Sequence, residues 1–365
     1  MGSYKKEYEE VFEGKTILIT GGLGFIGSNL AHKLVELNPK KVIIADALVN
    51  GLGGSIENIK EIKDKLEIYA GLEGDIRNIQ KIKELVSQAD YVFNLAGSIR
   101  HTGHNREDLI FDSEINLICQ TLFLEACRQC MIENPKKNLS IIYAGTRDQY
   151  GKVSFMDLPL KEDFVPKTFT DYQSISKGAA EAHHIMLHSS LKEQGIDGIK
   201  ITSVRITNTY GPRQSLDCGG AVPTFIKKIL SGGKIELWGC GEVLRDFNHV
   251  DDVVDALILL AASDKTGGQI YNLGCCIGKE GMNTPVGGNL TTIMNLAHLI
   301  RDISGLGDVT AIPYPKERAS IEPGHCCSDI SKIARLGWIP KYSLRKGLEE
   351  TIRFYKEKTL NNKDY

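Results

Sequence analysis

Short apolar runs alternate along the chain with longer segments in which apolar residues recur at helical spacing. The runs lie at 16–20, 41–46, 66–71, 91–97, 140–145 and 200–206, and the helical patterns at 25–37, 79–88, 108–131 and 173–193. Strands that are buried on both faces of a parallel sheet have such runs, and the helices between them cover those faces. The pattern therefore predicts a doubly wound parallel α/β sheet of the Rossmann type.

After Tyr210 the pattern changes to short mixed elements that are separated by glycine and proline. A helical pattern at 250–262 and a run at 268–274 are then expected to return to the large sheet, whereas 275–289, which is rich in glycine and lacks apolar periodicity, indicates an exposed loop. We therefore predict two domains, a dinucleotide-binding domain and a smaller, discontinuous α+β lobe for the substrate. Their expected ranges are 1–209 plus 246–275 and 210–245 plus 276–365, respectively.

The composition is that of an ordinary globular protein: 42% of the 365 residues are hydrophobic and 25% are charged. The formal charge of -2, without long runs of either sign, argues against nucleic acid or a membrane surface as a partner. No apolar stretch is long enough to span a bilayer, and the first residues are charged, so a cytoplasmic location is expected.

The nine cysteines are scattered and do not form a disulfide framework, so reduced thiols are expected. Cys127 and Cys130 form a CxxC pair, but no second ligand pair accompanies it. His184 and His188 are four residues apart, but no acid lies between them, as it would in a zinc-binding helix. We therefore expect no metal site.

A glycine-rich turn follows the first strand in the sequence TGGLGFIG. Gly21 and Gly24 allow the backbone to turn tightly and approach a pyrophosphate, while Gly27 allows the next helix to pack closely against the strand. Asp46, at the end of the second strand, is placed to accept hydrogen bonds from a ribose diol. Because Ala47 and Leu48 follow it rather than arginine, NAD is favoured over NADP.

The sequence resembles the extended short-chain dehydrogenases/reductases, which act on nucleotide sugars as epimerases and dehydratases. The resemblance rests on TGGLGFIG (20–27), GDIRN (74–78), NLAG (94–97), RITNTYGPRQ (205–214) and LRDFNHVDDVVDA (244–256). It implies that Asp75 and Ile76 lie at the adenine and that Leu95, Ala96 and Gly97 run beside the cofactor. Further cofactor-binding candidates are Phe25, Ile26, Asn50, Ala144 and Lys177.

The same resemblance implies a substrate site and an assembly. Asn208 and Arg245 would hold the diphosphate of a nucleotide sugar, since an arginine fork matches phosphate oxygens and an amide can donate to them. Candidates for the nucleobase wall are Val222, Phe225 and Trp238, which could equally be core residues, and Arg318 is a further substrate-binding candidate. The helices at 108–131 and 173–193 would pair across a twofold axis, which predicts a homodimer.

The family's catalytic triad is Ser or Thr, then Tyr, then a Lys four residues after the Tyr. Thr146 matches the first member and Lys177 the last, but the tyrosine position is occupied by Gln173. Glutamine has no proton of the kind that a phenol exchanges. Tyr172 is adjacent, but on a helix it points about 100° away from the required face, so it could serve only from a distorted helix start.

Other residues could carry the proton in place of the tyrosine. Asp148 lies two residues after Thr146, where family dehydratases carry an acid, although the neighbouring acid of that pair is here Arg147. His101 and His104 follow NLAG, on the loop that overhangs the nicotinamide in this family, and imidazole titrates near neutral pH.

The first functional hypothesis is an enzyme that oxidises a nucleotide-diphosphate sugar with NAD, at C4, and then epimerises it, dehydrates it or releases a keto sugar. Because Gln173 replaces the tyrosine, two alternatives stay open. One is a non-redox isomerase or mutase that uses NAD structurally, and the other is a binding protein that has lost the chemistry.

Overall fold

The computed structural model describes residues 8–100, 105–279, 282–285, 288–315, 322 and 324–361. The chain forms two compact units, and each is described separately below. Unit 1 consists of Met1–Gln149, Tyr172–Arg205 and Val254–Tyr271, and unit 2 of Tyr150–Asp171, Ile206–Val253 and Asn272–Tyr365. These limits differ from the expected domains, chiefly because 150–171 groups with unit 2.

Unit 1 is built on a seven-stranded sheet with the strand order β10-β6-β5-β4-β1-β2-β3. Its strands are β1 (Thr16–Thr20), β2 (Lys41–Asp46), β3 (Glu67–Ala70), β4 (Tyr91–Asn94), β5 (Leu139–Thr146), β6 (Ile199–Ile206) and β10 (Ile270–Leu273). The strand β1 pairs in parallel with β2 and β4, and the pairs β2–β3 and β4–β5 are also parallel. The predicted doubly wound parallel sheet is confirmed, and β10 returns to it as expected.

The helices of this unit cover the sheet because their apolar faces need burial. They are α1 (Phe25–Leu34), α2 (Ile79–Gln88), α3 (Arg106–Ser113), α4 (Cys119–Glu133), α5 (Tyr172–Glu193) and α7 (Val250–Ala262). A π-helical turn, Glu114–Ile118, joins α3 to α4, so the expected single helix is interrupted. Leu18, Ile43, Val92 and Phe123 are among the residues that form the buried core.

Unit 2 contains smaller, mixed sheets around its own core. Its strands are β7 (Asn208–Tyr210), β8 (Ile235–Trp238), β9 (Leu244–His249), β11 (Cys276–Lys279), β12 (Met282–Pro285), β13 (Leu290–Thr292) and β14 (Val309–Ile312). Its helices are α6 (Ala221–Leu230), α8 (Ile293–Ser304), α9 (Ser331–Ala334) and α10 (Leu344–Asn361). The strand β9 lies between β13 and β7, and β14 pairs with β8.

Two expectations about unit 2 were wrong. The segment 275–289 is not a plain exposed loop, because β11 and β12 form an antiparallel hairpin and Cys275, Cys276 and Asn289 are buried. The thiols are not all reduced, because Cys276 forms a disulfide with Cys327, 51 residues further along the chain. Scattered cysteines gave no sign of this bond, since the fold alone brings the two segments together.

Within the described ranges, none of the helices combines the length and apolar character that crossing a membrane requires.

Candidate functional site

The glycine turn after β1 has a geometry that only glycine can adopt. Gly21 has φ +65°, and a Cβ there would lie 2.9 Å from the Ala96 nitrogen. A Cβ on Gly27 would lie 2.4 Å from the Gly21 oxygen, so any side chain would separate the helix from the strand. The helix α1 starts at Phe25 after Gly24 and has no acidic residue in its first turn. These features leave a positively polarised helix start open to a diphosphate, so the turn fits a dinucleotide.

Asp46 ends β2 beside this turn and is held by two backbone groups. Its carboxylate accepts hydrogen bonds from the Leu23 nitrogen at 3.0 Å and from the Leu48 nitrogen at 2.8 Å. Burial raises the pKa of the Asp46 carboxyl, although these two hydrogen bonds oppose that effect. Each carboxylate oxygen keeps acceptor capacity beyond its one bond, so Asp46 can still accept from a ribose diol.

The other cofactor candidates occupy the same edge of unit 1. Leu95, Ala96 and Gly97 follow β4 and are partly exposed. Asp75 and Ile76 are nearly buried, and Asp75 is paired with Arg77 at 2.7 Å. Of the remaining candidates, Phe25 and Ile26 begin α1 and are partly exposed, Asn50 is exposed and Ala144 lies within β5.

The Thr146 hydroxyl is the centre of a small polar cluster at the end of β5. It donates a hydrogen bond to Asp148 Oδ2 at 2.9 Å and accepts one from the Asp148 backbone nitrogen at 3.3 Å. The other carboxylate oxygen, Oδ1, lies 3.1 Å from Arg147 Nη2. Both Asp148 and Arg147 are buried. The hydroxyl therefore keeps one lone pair that these contacts do not use.

Lys177 lies on α5 in the same unit, and its side chain is buried. Its Nζ donates to the Ala144 carbonyl at 3.2 Å, and a Cβ on Gly97 would lie 3.0 Å from it. Burial lowers the pKa of the Lys177 ammonium to about 8, although the nearby charges of Asp148 and Asp112 raise it. The lysine can therefore change its protonation state close to neutral pH.

Gln173 lies on the same buried part of α5, one helical turn before Lys177. Its Nε2 donates to the Ser98 carbonyl at 3.3 Å, while its Oε1 has no hydrogen-bond partner within the described part of the chain. Tyr172 is the first residue of α5. His101 and His104 lie outside the described residues.

Two further residues, Ser98 and Asn116, lie beside Gln173 and Gly97 and were not among the candidates from the sequence. Asn116 lies in the π-helical turn, and its Oδ1 accepts a hydrogen bond from the Ser98 nitrogen at 2.8 Å. A Cβ on Gly97 would lie 3.0 Å from the same Oδ1. Turns of the π type occur often at functional sites. The only signal in the sequence was that Asn116 occupies a position on the apolar face of the helical pattern at 108–131.

The substrate candidates lie in unit 2. Asn208 Nδ2 donates to the Asp246 carbonyl at 2.9 Å. The buried Arg245 guanidinium donates to the Gly324 carbonyl and forms an ion pair with Glu322. These partners hold Arg245 in place, and a diphosphate would have to compete with the Glu322 carboxylate.

The three candidates for a nucleobase wall differ in exposure. Val222 and Phe225 are 3% and 6% exposed and belong to the hydrophobic core of unit 2. Trp238 is 44% exposed, and its ring meets Tyr314 edge-on at a centroid distance of 5.8 Å. Only Trp238 among the three therefore offers an open aromatic face. Arg318 lies outside the described residues.

Two histidines of α5, His184 and His188, are held by hydrogen bonds within unit 1. His184 is fully buried and hydrogen-bonded to Asn94 and Ala180, and His188 Nδ1 accepts from the Ile201 nitrogen at 3.4 Å. Among the residues that the structure describes, no three His, Cys, Asp or Glu side chains are grouped to hold a metal ion.

Comparisons with known proteins extend over nearly the whole chain. A sequence model of the NAD dependent epimerase/dehydratase family matches residues 17–274. The chain is 29% identical to a putative UDP-glucose 4-epimerase of Methanocaldococcus jannaschii, over 93% of this chain and 98% of that protein. It is 27% identical to a dTDP-glucose 4,6-dehydratase of Mycolicibacterium smegmatis, over 93% of each.

Two solved structures show the same likeness. A UDP-glucose 4-epimerase of Thermotoga maritima with UDP-glucose has 27% identity and a TM-score of 0.76, and the match covers 94% of this chain and 99% of that one. A UDP-glucuronic acid 4-epimerase of Bacillus cereus, in complex with UDP-glucuronic acid and NAD, has 25% identity, a TM-score of 0.76 and the same coverage.

Proposed function

Because the chain belongs to the NAD-dependent epimerase/dehydratase family, we propose that it oxidises a hydroxyl of a nucleotide-diphosphate sugar, with Thr146 and Asp148 accepting the proton. The predicted family, its enzymatic nature and its NAD cofactor are confirmed by the family match. The proposed roles of Thr146 and Asp148 rest on the hydrogen bond between them, which lies in the same unit as the glycine turn.

The glycine turn and Asp46 would hold the cofactor through its diphosphate and a ribose. When bound, NAD supplies the two-electron acceptor for the sugar carbon. The sugar position is proposed to be C4, because the numbers in the names of the similar proteins, 4-epimerase and 4,6-dehydratase, share that position. The outcome after oxidation is an epimer, a dehydrated sugar or a keto sugar.

The contacts of Thr146 define a path for the proton. Its hydroxyl already donates to Asp148, so an incoming sugar hydroxyl can donate only to the remaining lone pair of Oγ1. When the sugar hydroxyl loses its proton to Thr146, Thr146 passes its own proton to the Asp148 carboxylate. The return step runs in reverse, from Asp148 through Thr146. Such proton transfer by a positioned carboxylate contributes about 10²- to 10⁴-fold to a rate.

Lys177 and Gln173 support this path without carrying the proton. The Lys177 ammonium lies in a buried site, where its charge stabilises a developing alkoxide more strongly than it would in water. Gln173 is anchored through Nε2 on Ser98, and its Oε1 is left to accept a hydrogen bond from a bound group. An amide can orient a substrate hydroxyl but cannot take up its proton.

The candidates for the nucleotide end of the substrate lie in unit 2. Arg245 offers a planar fork of N–H donors, and a diphosphate is a stronger partner for it than one carboxylate because it carries more charge and more acceptor oxygens. The exposed ring of Trp238 offers an apolar face for a nucleobase.

The function is tested with the purified protein, NAD and a panel of UDP-, dTDP-, CDP- and GDP-sugars. We expect one class of sugar to give a new product by mass spectrometry, with reduced nicotinamide appearing transiently or as a net product. Product formation without any reduced nicotinamide, even in single-turnover experiments, would favour the non-redox alternative. Binding of both ligands without a product would favour the binding protein.

Asp46→Ala is expected to weaken NAD binding by about 1 to 3 kcal/mol, because a charged acceptor for the ribose diol is lost. The wild type should bind NADP more weakly than NAD, because the Asp46 carboxylate repels a 2′-phosphate. Titration calorimetry measures both affinities, and Asp64→Ala, at an exposed position, serves as the control. Equal wild-type affinities for NAD and NADP would contradict this role of Asp46.

A homodimer is the proposed assembly, as the family resemblance implies. Exposed apolar side chains on the helices concerned, including Ile110, Ile118, Ile175 and Met186, would then be buried against a second copy. We expect a dimer in sedimentation and a shift to monomer when Ile118→Lys and Met186→Lys are combined. Met156→Lys, at an exposed position of unit 2, is the control. A wild type that stays monomeric at all concentrations would exclude this assembly.

A further inference from the structure

A closed ring of hydrogen bonds begins and ends on Ala96, directly after β4. The Ala96 nitrogen donates to Thr20 Oγ1 at 3.3 Å, and Thr20 donates to Asn94 Oδ1 at 2.7 Å. Asn94 Nδ2 donates to Gln120 Oε1 at 2.6 Å, and Gln120 Nε2 donates to the Ala96 carbonyl at 2.7 Å. Both backbone groups of Ala96 are thus held by side chains, one from β1 and one from α4.

His184 fixes the orientation of this ring. Its Nδ1 lies 2.8 Å from the Ala180 carbonyl, which can only accept, so Nδ1 carries the hydrogen. Its Nε2 must then accept the second N–H of Asn94 Nδ2, at 3.0 Å. The imidazole of His184 stacks on the ring of Tyr143 at a centroid distance of 4.0 Å. Burial lowers the pKa of His184 to about 3. The imidazole is therefore a neutral acceptor at working pH.

The ring is buried and leaves no freedom to reverse its donors and acceptors. Thr20, Asn94 and His184 are 0% exposed, and Gln120 is 1% exposed. A buried polar network of this kind specifies one arrangement, because any flipped amide would place two acceptors or two donors together. Apolar side chains of the same shape can be about as stable as a satisfied pair of polar groups, so stability alone does not account for the ring.

Ala96 lies between the glycine turn and the ammonium group of Lys177. A Cβ added to Gly21 would be 2.9 Å from the Ala96 nitrogen, so the turn packs against this peptide. On the other side, a Cβ added to Gly97 would be 3.0 Å from Lys177 Nζ. A shift of Ala96 would therefore change the spacing between the dinucleotide site and Lys177.

We propose that Asn94, Gln120 and His184 are positioning residues, which hold the Ala96 peptide at the spacing that NAD binding and the reaction at Lys177 require. Their effect on turnover rests on the proposed function, whereas their effect on NAD affinity does not. None of the three needs to touch the substrate or the reacting atoms. They act through Ala96.

The first test replaces Gln120 by Met, which keeps the length of the side chain and removes both polar contacts. We expect NAD affinity to fall by about tenfold, the value of roughly one lost hydrogen bond, and kcat to fall in addition. Gln129→Met is the matched control, because Gln129 lies on the same helix but its amide binds Glu125 instead. Calorimetry gives the affinity and thermal unfolding gives the stability.

The second test, Gln120→Glu, adds a readout that a merely structural role would not move. At high pH the introduced carboxylate faces the Ala96 carbonyl as an acceptor, so NAD affinity should be low. On acidification the buried carboxyl takes up a proton at about pH 5 to 8 and regains a donor for that carbonyl. NAD affinity should then recover relative to the wild type and to Gln120→Met, in which Asp46 and Lys177 titrate in the same way but no carboxyl replaces Gln120.

Three outcomes would overturn the proposal. The first is a folded Gln120→Met whose NAD affinity is within twofold of the wild type, and the second is an equal loss of affinity in Gln129→Met. The third, which stays decisive if Gln120→Met does not fold, is a pH dependence of NAD affinity in Gln120→Glu that is the same as in the wild type. A wild type that binds NAD but turns over no nucleotide sugar would remove the proposed function only, because NAD affinity is measured without turnover.

Discussion

Asp148→Asn is expected to lower kcat by about 10²- to 10⁴-fold while NAD and the nucleotide sugar still bind. The amide oxygen can still accept the hydrogen bond from Thr146, but the amide NH2 then faces Arg147 Nη2, which loses its buried ion pair. Thermal unfolding therefore checks that the variant is folded. What it loses is the capacity to take up a proton at neutral pH. Single-turnover kinetics separate this loss from a change in binding, and calorimetry with each ligand checks the affinities.

The controls decide which residue replaces the missing tyrosine. Gln173→Ala and Gln173→Glu should each lose about 0.5 to 1.5 kcal/mol of transition-state stabilisation, the value of roughly one hydrogen bond, because an amide there could only orient the substrate. Tyr172→Phe, and His101→Ala combined with His104→Ala, should turn over like the wild type. So should Asp197→Asn, the matched control for Asp148→Asn, because the Asp197 side chain is largely exposed. An Asp148→Asn enzyme with normal kcat would contradict the proton path. If Tyr172→Phe or the histidine pair stopped the reaction instead, the proton would pass through those residues.

The large sheet could be predicted because each of its signals is local. The run TILIT, the glycine turn and the run KVIIAD follow one another within 31 residues, and each element forms where its own pattern indicates. The hairpin β11–β12 gave no such signal. Its strands CIGK and MNTP lack alternation, and part of what holds the hairpin in place is a bond from Cys276 to a distant cysteine.

In the candidate site, too, the parts with a local signal could be predicted and the parts that depend on distant residues could not. The turn from Gly21 to Gly27 is recognisable from its spacing, because the backbone requirement lies within seven residues. The ring around Ala96 is not, because Asn94 meets Gln120 and His184 across 26 and 90 residues. The apolar run of β4 and the periodicity of the helices assign these residues to buried positions but do not tell which of their polar groups meet. Likewise, the π-helical turn that carries Asn116 has no period that a sequence pattern could show.

The protonation state of Lys177 should set the alkaline limit of the activity. With a pKa of about 8, its ammonium is charged at lower pH and is lost as the pH rises through that value. Because the proposed role needs the charge, kcat/KM should fall above about pH 8. Lys177→Arg keeps a cation that stays protonated throughout this pH range, so this alkaline fall should disappear in that variant, even if its overall rate is lower.

The opposite pH dependence would assign the proton to another group. If kcat/KM rose as the pH passed through about 8, the neutral amine of Lys177 would be the proton acceptor, and Lys177→Arg would be inactive at every pH. Lys177→Met removes both the charge and the base, so it lowers the rate in either case and does not distinguish them. The pH profiles of the wild type and Lys177→Arg therefore decide together whether the carboxylate of Asp148 or the amine of Lys177 replaces the phenol that this chain lacks.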